Sequence, residues 1–577
     1  MDTRSNLQRG LNSSPVTKGC PLRRVTFVDF FLAASVLMAA PSAAEAACYT
    51  IGGTPGTSSA FQWQRWSCSF PVVSGPSSTE RVLYAQVKLK VTYTRTSPLP
   101  SLTHFGYAFW DGGAGTSSSN GTFIARTAFP NSGTWTWSTT CETGTNCSNS
   151  TFSRSGSVTV SSSPSLGPPY YDHELYTPAA GLLRVGTYFG PPFHTGGRGF
   201  FWVGDSAWAA PMEANSTEWN EYLADREARQ YSVIHIGLAP YWAGPSDRSG
   251  NRPFCNGATG GGTCSAPSPT WPLPRSNTRP GLPFWRNVDA MVKAANDHQL
   301  VVFMTGLMEP VGGDPDNPNS PATDAQAFPS QSEAVLFARW VSSRLSGDHI
   351  IFSPGFDSPP VTTSGLDLLP RIKAVGNEIQ SVAPRHLVTN HWSATALVSS
   401  SGSCNMPNYS QSGMDEIHAE PWLDFHLYQS GTICDLPRVT NRARELSPQL
   451  EALTVWPNHK VTVNGESVYD EGDAVTPTNR NNRFRARQTA WLSSLTGAFG
   501  FSAGIGGVWD WGVCGLATPN ICNERFPDGW RTYSQGMAQP ASGDMVAFRA
   551  IRRRVFTTAL FNEQWRLALN VTLPDTK

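Results

Sequence analysis

From about residue 195 onward the chain alternates between two textures, and that alternation limits the possible folds more than any other feature. Apolar, β-rich runs recur eight times: Gly199–Asp205, Ser232–Leu238, Leu300–Leu307, His349–Asp357, His386–His391, Leu423–Gln429, Lys460–Glu466 and Gly500–Trp511. Segments with helical spacing fit between them: Thr217–Gln230 behind Ser216 as N-cap, Phe284–Asp297, and Ser332–Ser346. Strands that are apolar along their whole length and separated by helices form parallel sheets covered on both faces. Eight such units in about 380 residues predict an α/β fold of the (β/α)8 TIM barrel type with enlarged loops. A doubly wound sheet is the alternative, but no Gly-rich phosphate loop opens any of the helices. One loop, Gly244–Pro283, is rich in Gly, Pro and Asn and is expected to overhang the barrel mouth. A helix beginning at Ala547 is expected to close the barrel.

Residues 48 to 162 have a different texture. Short β-rich runs, Arg81–Thr94, Phe105–Trp110, Gly121–Phe129, Gly133–Ser138 and Ser155–Val160, are separated by Gly, Pro, Asn or Ser and lack helical periods. This spacing predicts an antiparallel β-sandwich. Ser161–Pro169 (SSSPSLGPP) reads as a linker. The expected organisation is a signal peptide over 1–46, a β-sandwich over 47–165 and a barrel over 166–577.

The formal net charge is zero, so nothing supplies the phosphate-neutralising field of a nucleic-acid binder. At the N-terminus Arg23 and Arg24 precede an apolar core, Phe30–Ala40, and an A-x-A cleavage site, Ala44-Glu45-Ala46. This is the pattern of a secretory signal, and the core is too short to span a bilayer. The expected location is therefore extracellular or periplasmic, with no membrane attachment after cleavage. One cysteine, Cys20, lies in the presequence. The other ten fall in near pairs, Cys48/Cys68, Cys141/Cys147, Cys255/Cys264, Cys404/Cys434 and Cys514/Cys522, as expected of loop-closing disulfides in an oxidising compartment. No C-x-x-C or zinc-type His spacing occurs, so neither metal nor cofactor is expected.

Two of the strand runs end in a lone carboxylate after a Gly: Asp357 in IIFSPGFDS (Ile350–Ser358) and Glu466 in HKVTVNGES (His459–Ser467). By position these are strands four and seven. Side chains at the carboxyl ends of barrel strands line the active site. Glycosidic cleavage needs two carboxylates facing each other there, one protonating the leaving oxygen and one serving as nucleophile or base. Asp205 also ends a strand, although a following helix makes it an N-cap candidate. Flat aromatic faces stack on sugar rings, and His and Asn bind hydroxyls. On this basis Asp205, Trp208, His235, Trp242, His391, Trp392, His426, Tyr428, Asn464 and Trp509 are expected to bind substrate.

Several stretches, in order, carry a family resemblance: GRGFFWVGDSAW (Gly197–Trp208), the helix Trp219–Ile234, FSPGFD (Phe352–Asp357), DFHLYQSG (Asp424–Gly431) and VNGES (Val463–Ser467). Together they resemble the apiosidase-like glycoside hydrolases, family 140. FGYAFWDGG (Phe105–Gly113) and ARTAFPNSGTWTW (Ala125–Trp137) resemble the β-sandwich that often precedes such barrels. The resemblance implies that Asp357 is the acid/base and Glu466 the nucleophile. Where the family tends to have Gly-Gly-Asp, this chain has Gly355-Phe356-Asp357, and an adjoining Phe favours the protonated acid by desolvation. The implied activity is that of a secreted retaining glycosidase acting on a polysaccharide or oligosaccharide, with a furanoside of the apiose or arabinose type as substrate. The competing expectation is a non-catalytic carbohydrate- or matrix-binding protein on the same scaffold. Sugar, linkage and oligomeric state are left open at this stage.

Overall fold

The computed structural model describes residues 48–49, 56–75, 79–144, 147–163, 169–171, 183–185, 198–200, 202–240, 246–256, 278–308, 328, 330–361, 366–392, 413–414, 416–430, 462–470, 483–495, 498, 500–512 and 531–555. The chain divides into two units, Met1–Glu45 and Ala46–Lys577, and all the described residues belong to the second. The expected signal segment lies outside the described residues.

The first part of the second unit holds β1 (Gly56–Phe61), β2 (Arg65–Val72), helix α1 (Glu80–Gln86), β3 (Lys88–Ser97), β4 (Leu102–Trp110), β5 (Gly121–Ala128), β6 (Gly133–Thr143) and β7 (Ser155–Ser161). The strands run in the order β1-β7-β6-β3-β4-β5-β2. All neighbours are antiparallel except β1 and β7, which pair in parallel from Gly56↔Gly156 to Phe61↔Ser161. The strand order is therefore continuous and mixed, where antiparallel pairing throughout was expected of the sequence. Continuity comes from β4, which pairs with β3 over Leu102–Ala108 and then with β5 through Phe109 and Trp110. Aromatic residues fill the space between its strands: Trp66 of β2 meets Tyr93 of β3 and Trp137 of β6 edge-on, at 6.1 and 5.8 Å.

The run Arg81–Thr94 is not one strand. Its first half is α1, where the Thr79 side chain accepts from the Val82 N–H and Leu83 and Tyr84 face the core. Only the second half alternates, with Leu89, Val91 and Tyr93 buried between half-buried Lys88, Lys90 and Thr92. That period of two is the true strand signal. Disulfides join Cys48 to Cys68 and Cys141 to Cys147. Cys255 is also disulfide-bonded, whereas Cys264, Cys404, Cys434, Cys514 and Cys522 lie outside the described residues.

A small antiparallel sheet follows, β8 (Pro169–Tyr171), β9 (Leu183–Val185) and β10 (Arg198–Gly199). Next come β11 (Trp202–Ser206), α2 (Ala210–Glu213), α3 (Ser216–Ala228), β12 (Val233–Gly237), the antiparallel ribbon β13 (Phe254–Asn256) and β14 (Thr278–Pro280), α4 (Leu282–Asp297), β15 (Val301–Thr305), α5 (Gln331–Arg344), β16 (Ile350–Phe352) and α6 (Leu369–Val382). The series ends with β17 (His426–Gln429), β18 (Thr462–Glu466), α7 (Arg483–Leu495), β19 (Gly500–Ala503), α8 (Tyr533–Met537) and α9 (Pro540–Val555). Helix α3 is capped by Asn215, not Ser216. The Asn215 carboxamide accepts from Thr217 and Glu218, and Glu218 reaches back to the Asn215 N–H. Two orphan donors are thereby satisfied in a capping box.

Seven strands form a parallel sheet in the order β16-β15-β12-β11-β19-β18-β17. Its two edges meet through residues 386–392. Phe352 and Val388 form one parallel bridge and His391 and Leu427 another, with Phe352 N–H to Leu387 O at 3.0 Å and Asp424 N–H to Val388 O at 2.9 Å. The result is a barrel-like parallel sheet whose fifth position is made of single bridges. Inside it Trp202, Val233, Phe303, Ile351, Leu387, Leu427 and Val463 form one apolar cluster. Neighbours on the same strands, such as Val203, Ile234, Val302 and Phe352, join a second cluster with the helices. Among the described residues no helix is long and apolar enough to cross a membrane.

A buried ionic cluster ties the N-terminal sheet to the helices of the barrel. Asp289 of α4 accepts from Arg126 of β5 at 3.2 Å and from Arg344 of α5 at 2.8 Å. Arg344 also reaches Asp111 at 2.8 Å, and Arg65 of β2 binds Asp348 at 2.6 Å. Three guanidinium groups thus face three carboxylates.

Candidate active site

Glu466 ends β18, where Val463 fills the barrel interior and Gly465 leaves room for the Leu427 side chain of β17. A Cβ at Gly465 would lie 2.3 Å from Leu427. The N-G-E sequence therefore has a packing reason: Gly is the residue that lets Glu466 sit beside a filled core. Gly465→Ala is expected to lower stability by about 1–3 kcal/mol through overpacking and to reduce activity by moving the adjacent carboxylate. Thermal unfolding and turnover measured on the same variant check both effects.

The Glu466 side chain is 15% exposed, and both of its oxygens have neighbours. Tyr469 O–H donates to Oε1 at 2.7 Å, and the Tyr469 oxygen accepts from Trp208 Nε1–H at 2.7 Å. His391 Nε2 lies 3.1 Å from Oε2, in contact but without the alignment of a full hydrogen bond. The other ring nitrogen of His391, Nδ1, accepts from the backbone N–H of Asp357 at 3.2 Å. A nitrogen that accepts carries no proton, so the neutral ring holds its proton on Nε2, facing Glu466. His391 thereby links the loop carrying one candidate carboxylate to the strand carrying the other.

Asp357 lies in the loop after β16 with φ of 57°, a left-handed conformation that Asp tolerates better than most residues. Such strain persists where surrounding structure enforces it, and it clusters at functional sites. The supports here are specific. Gly355 N–H donates to Asn390 Oδ1 at 2.9 Å, and Phe356 N–H to Ser358 Oγ at 3.0 Å. Ser353 Oγ accepts from the His391 N–H at 2.9 Å. The Phe356 ring lies over Gly237 of β12 and 4.9 Å from the Trp208 ring. Trp208, Phe356, Tyr469 and Trp509 form one buried aromatic cluster beside the carboxylates.

The remaining residues singled out from the sequence fall elsewhere. Asp205 points to the helical side of β11, where it accepts from Arg226 at 2.6 Å and Tyr222 at 2.8 Å. Burial raises its pKa despite Arg226. Asn464 donates to Ser430 and to Ser493 of α7, again on the outer side of the sheet. His426 pairs with His418 at 2.8 Å, and the buried Tyr428 ring belongs to the outer cluster. Trp392 packs against Gly413. His235 lies inside the barrel, and burial holds its pKa well below the usual imidazole value. Its Nε2 is 2.7 Å from Ser502 Oγ, which also accepts from Trp202 Nε1–H at 2.8 Å. Gly500–Gly504 has the spacing of a nucleophile elbow, but Ser502 lies within β19, fully buried, and not on an exposed strand-to-helix turn. Trp242 lies outside the described residues. Among the described residues no cluster of three or more His, Cys, Asp or Glu is placed to hold a metal.

Tyr469 was not singled out from the sequence. The only signal is an aromatic residue three positions beyond Glu466; its donor, Trp208, lies 261 residues away.

The model of the apiosidase-like catalytic domain matches residues 192–559. No curated protein sequence matches the chain. Among solved structures it is similar to a glycoside hydrolase family 5 protein from Bacteroides vulgatus, at 18% identity over 68% of this chain and 72% of that one, TM-score 0.45. It is also similar to an endo-1,4-beta-mannanase from Rhizomucor miehei, at 14% identity over 63% and 98%, TM-score 0.40. A third is the endo-1,4-beta-D-mannanase of Thermotoga petrophila, at 14% identity over 61% and 100%, TM-score 0.39. The family match spans the parallel sheet together with both candidate carboxylates, and the chain belongs to the apiosidase-like family of glycoside hydrolases.

Proposed function

We propose that the protein is a secreted, retaining glycosidase on a (β/α)8 barrel, with Glu466 as nucleophile and Asp357 as acid/base. The main support is the surroundings of Glu466. Tyr469 O–H donates to Oε1 and His391 Nε2 lies 3.1 Å from Oε2, so the carboxylate is held in one position at the end of its strand, as a nucleophile requires. Asp357 sits on the other side of His391, with Phe356 adjoining it. In the first step a Glu466 oxygen bonds to the anomeric carbon while Asp357 protonates the leaving oxygen. In the second, water attacks that carbon, Asp357 takes its proton, and Glu466 is released. The buried cluster of Trp208, Phe356, Tyr469 and Trp509 backs the site, with Trp208 holding Tyr469 and Phe356 adjoining Asp357.

The family name favours a furanoside of the apiose type, with arabinose-type furanosides as near analogues. Division of the chain after Glu45 and the disulfides of Cys48–Cys68, Cys141–Cys147 and Cys255 favour an exported protein with a signal over 1–46. The family match from residue 192 suits a catalytic part over 166–577 behind an N-terminal domain over 47–165.

The test uses protein from Ala47 onward and its Glu466→Gln variant. Both are incubated with apiose- and arabinose-containing polysaccharides, and the anomeric configuration of the first-formed sugar is read by proton NMR. Release by the wild type alone, with configuration retained, is the expected result. Inverted product overturns the retaining reading. Saturable polysaccharide binding without release by either protein favours a binding role.

A further inference from the structure

Trp208, Tyr469 and Glu466 are joined in a chain of hydrogen bonds with only one possible direction. An indole N–H donates and cannot accept, an ionised carboxylate accepts and cannot donate, and the phenol between them has one proton. The Tyr469 proton must therefore lie toward Glu466 Oε1, and the Trp208 proton toward the Tyr469 oxygen, at 2.7 Å each. Trp208 and Tyr469 are both buried. The far end of the chain is fixed on the side of the acid, because the Trp208 ring packs against Phe356, the residue before Asp357. We propose that Trp208 and Tyr469 are positioning residues that act through Glu466, and that their main effect falls on the second half of the reaction, when the carboxylate leaves; this rests on the retaining reading above.

The chemistry gives the asymmetry. When the glycosyl-enzyme forms, an oxygen of Glu466 makes a bond to the anomeric carbon and the carboxylate loses its charge. The glycosidic C–O bond breaks, its electron pair goes to the leaving oxygen, and that oxygen takes the Asp357 proton. A fixed donor on the carboxylate opposes this loss of charge slightly. When the intermediate breaks down, water bonds to the anomeric carbon and gives a proton to Asp357, and the ester electron pair returns to Glu466. The same donor now stabilises the group that leaves. Such a donor is already oriented, with no reorganisation needed at the moment charge develops. Tyr469 keeps its proton for this role. Burial first, then the charge of Glu466, hold its phenol well above the usual range, so it stays protonated. The ionisable groups facing Glu466 among the described residues are Tyr469 from its own loop and His391 from the fifth barrel position, with Asp357 reaching it through His391.

The experiment compares wild type with Tyr469→Phe and Trp208→Phe on the polysaccharide cleaved by wild type. Quenched reactions are weighed by intact-protein mass spectrometry, which reads the share of enzyme held as glycosyl-enzyme. Tyr469→Phe is expected to lower kcat by about 10²-fold and KM with it, because the glycosyl-enzyme accumulates. Trp208→Phe should give a smaller change in the same direction. A merely structural defect lowers kcat without raising the share of glycosyl-enzyme. An unraised share in both variants overturns the proposal, as does unchanged kcat in Tyr469→Phe. Should Tyr469→Phe fail to fold, Trp208→Phe alone decides. Product configuration, read on the wild type, keeps the two tests apart: inverted product removes the retaining reading, whereas retained product with no accumulation in the variants removes this proposal only.

Discussion

Replacing Asp357 with Asn should leave the protein folded and lower turnover by about 10²–10⁴-fold on a substrate with a poor leaving group. Asn is nearly isosteric with Asp and tolerates the left-handed backbone found at this position, with φ of 57°. The backbone N–H that holds His391 is untouched by the change. Only the carboxyl proton is lost. An aryl glycoside whose leaving phenolate is already stable needs little protonation, so its glycosyl-transfer step should be nearly unaffected. The check is the ratio of rates on the two substrate types, before and after the substitution. Equal losses on both would mean that Asp357 acts as something other than a general acid.

The second large effect is on stability. Asp289→Ala should destabilise the protein by about 3–5 kcal/mol, because it strands buried cations rather than merely removing a contact. The Arg126 and Arg344 guanidinium groups both bind this carboxylate, and both are buried. Thermal unfolding of the whole chain reads the loss. The pH dependence has a definite sign. Burial opposes ionisation of Asp289, but Arg126, Arg344 and Arg65 together outweigh it and hold its pKa below the usual carboxylate value. A lowered folded-state pKa contributes stability that is present above about pH 4 and lost as pH falls through the folded value. At Asp348 burial wins over Arg65 and Arg126, and its pKa is raised. Its contribution is therefore present at low pH and lost as pH rises through the folded value. Asp289→Asn should flatten the acid side of the stability curve while leaving the opposing Asp348 component in place.

The parallel strands were legible because they are buried on both faces and read as unbroken apolar runs closed by Gly. The same property hid which way their polar residues point. On a strand with one wet face, polarity marks the inside and the outside. On β11 every residue is buried, so nothing in the sequence distinguishes Asp205, turned toward Arg226, from a residue turned toward the mouth. Asn464 on β18 is the same case, turned toward Ser493. Helix α1 was hidden for a different reason: its short apolar run reads equally well as strand, and the Thr79 cap decides between them. The carboxylates Asp357 and Glu466 were marked by their place at strand ends. The Tyr469–Trp208 contact had no local mark, since it joins loops from opposite ends of the barrel sequence.

The bridges at residues 386–392 give the barrel a seam, and the seam runs between the two carboxylates. Going the long way round, Asp357 and Glu466 are joined by continuous ladders from β16 to β18. Going the short way, they are joined by single bridges, by Asp424 holding the Val388 N–H, by Ser353 and Asn390, and by the imidazole of His391. The separation of the two candidate carboxylates is thus set by side-chain struts across this seam. It can be retuned by a substitution in a strut, with the rest of the ring left alone.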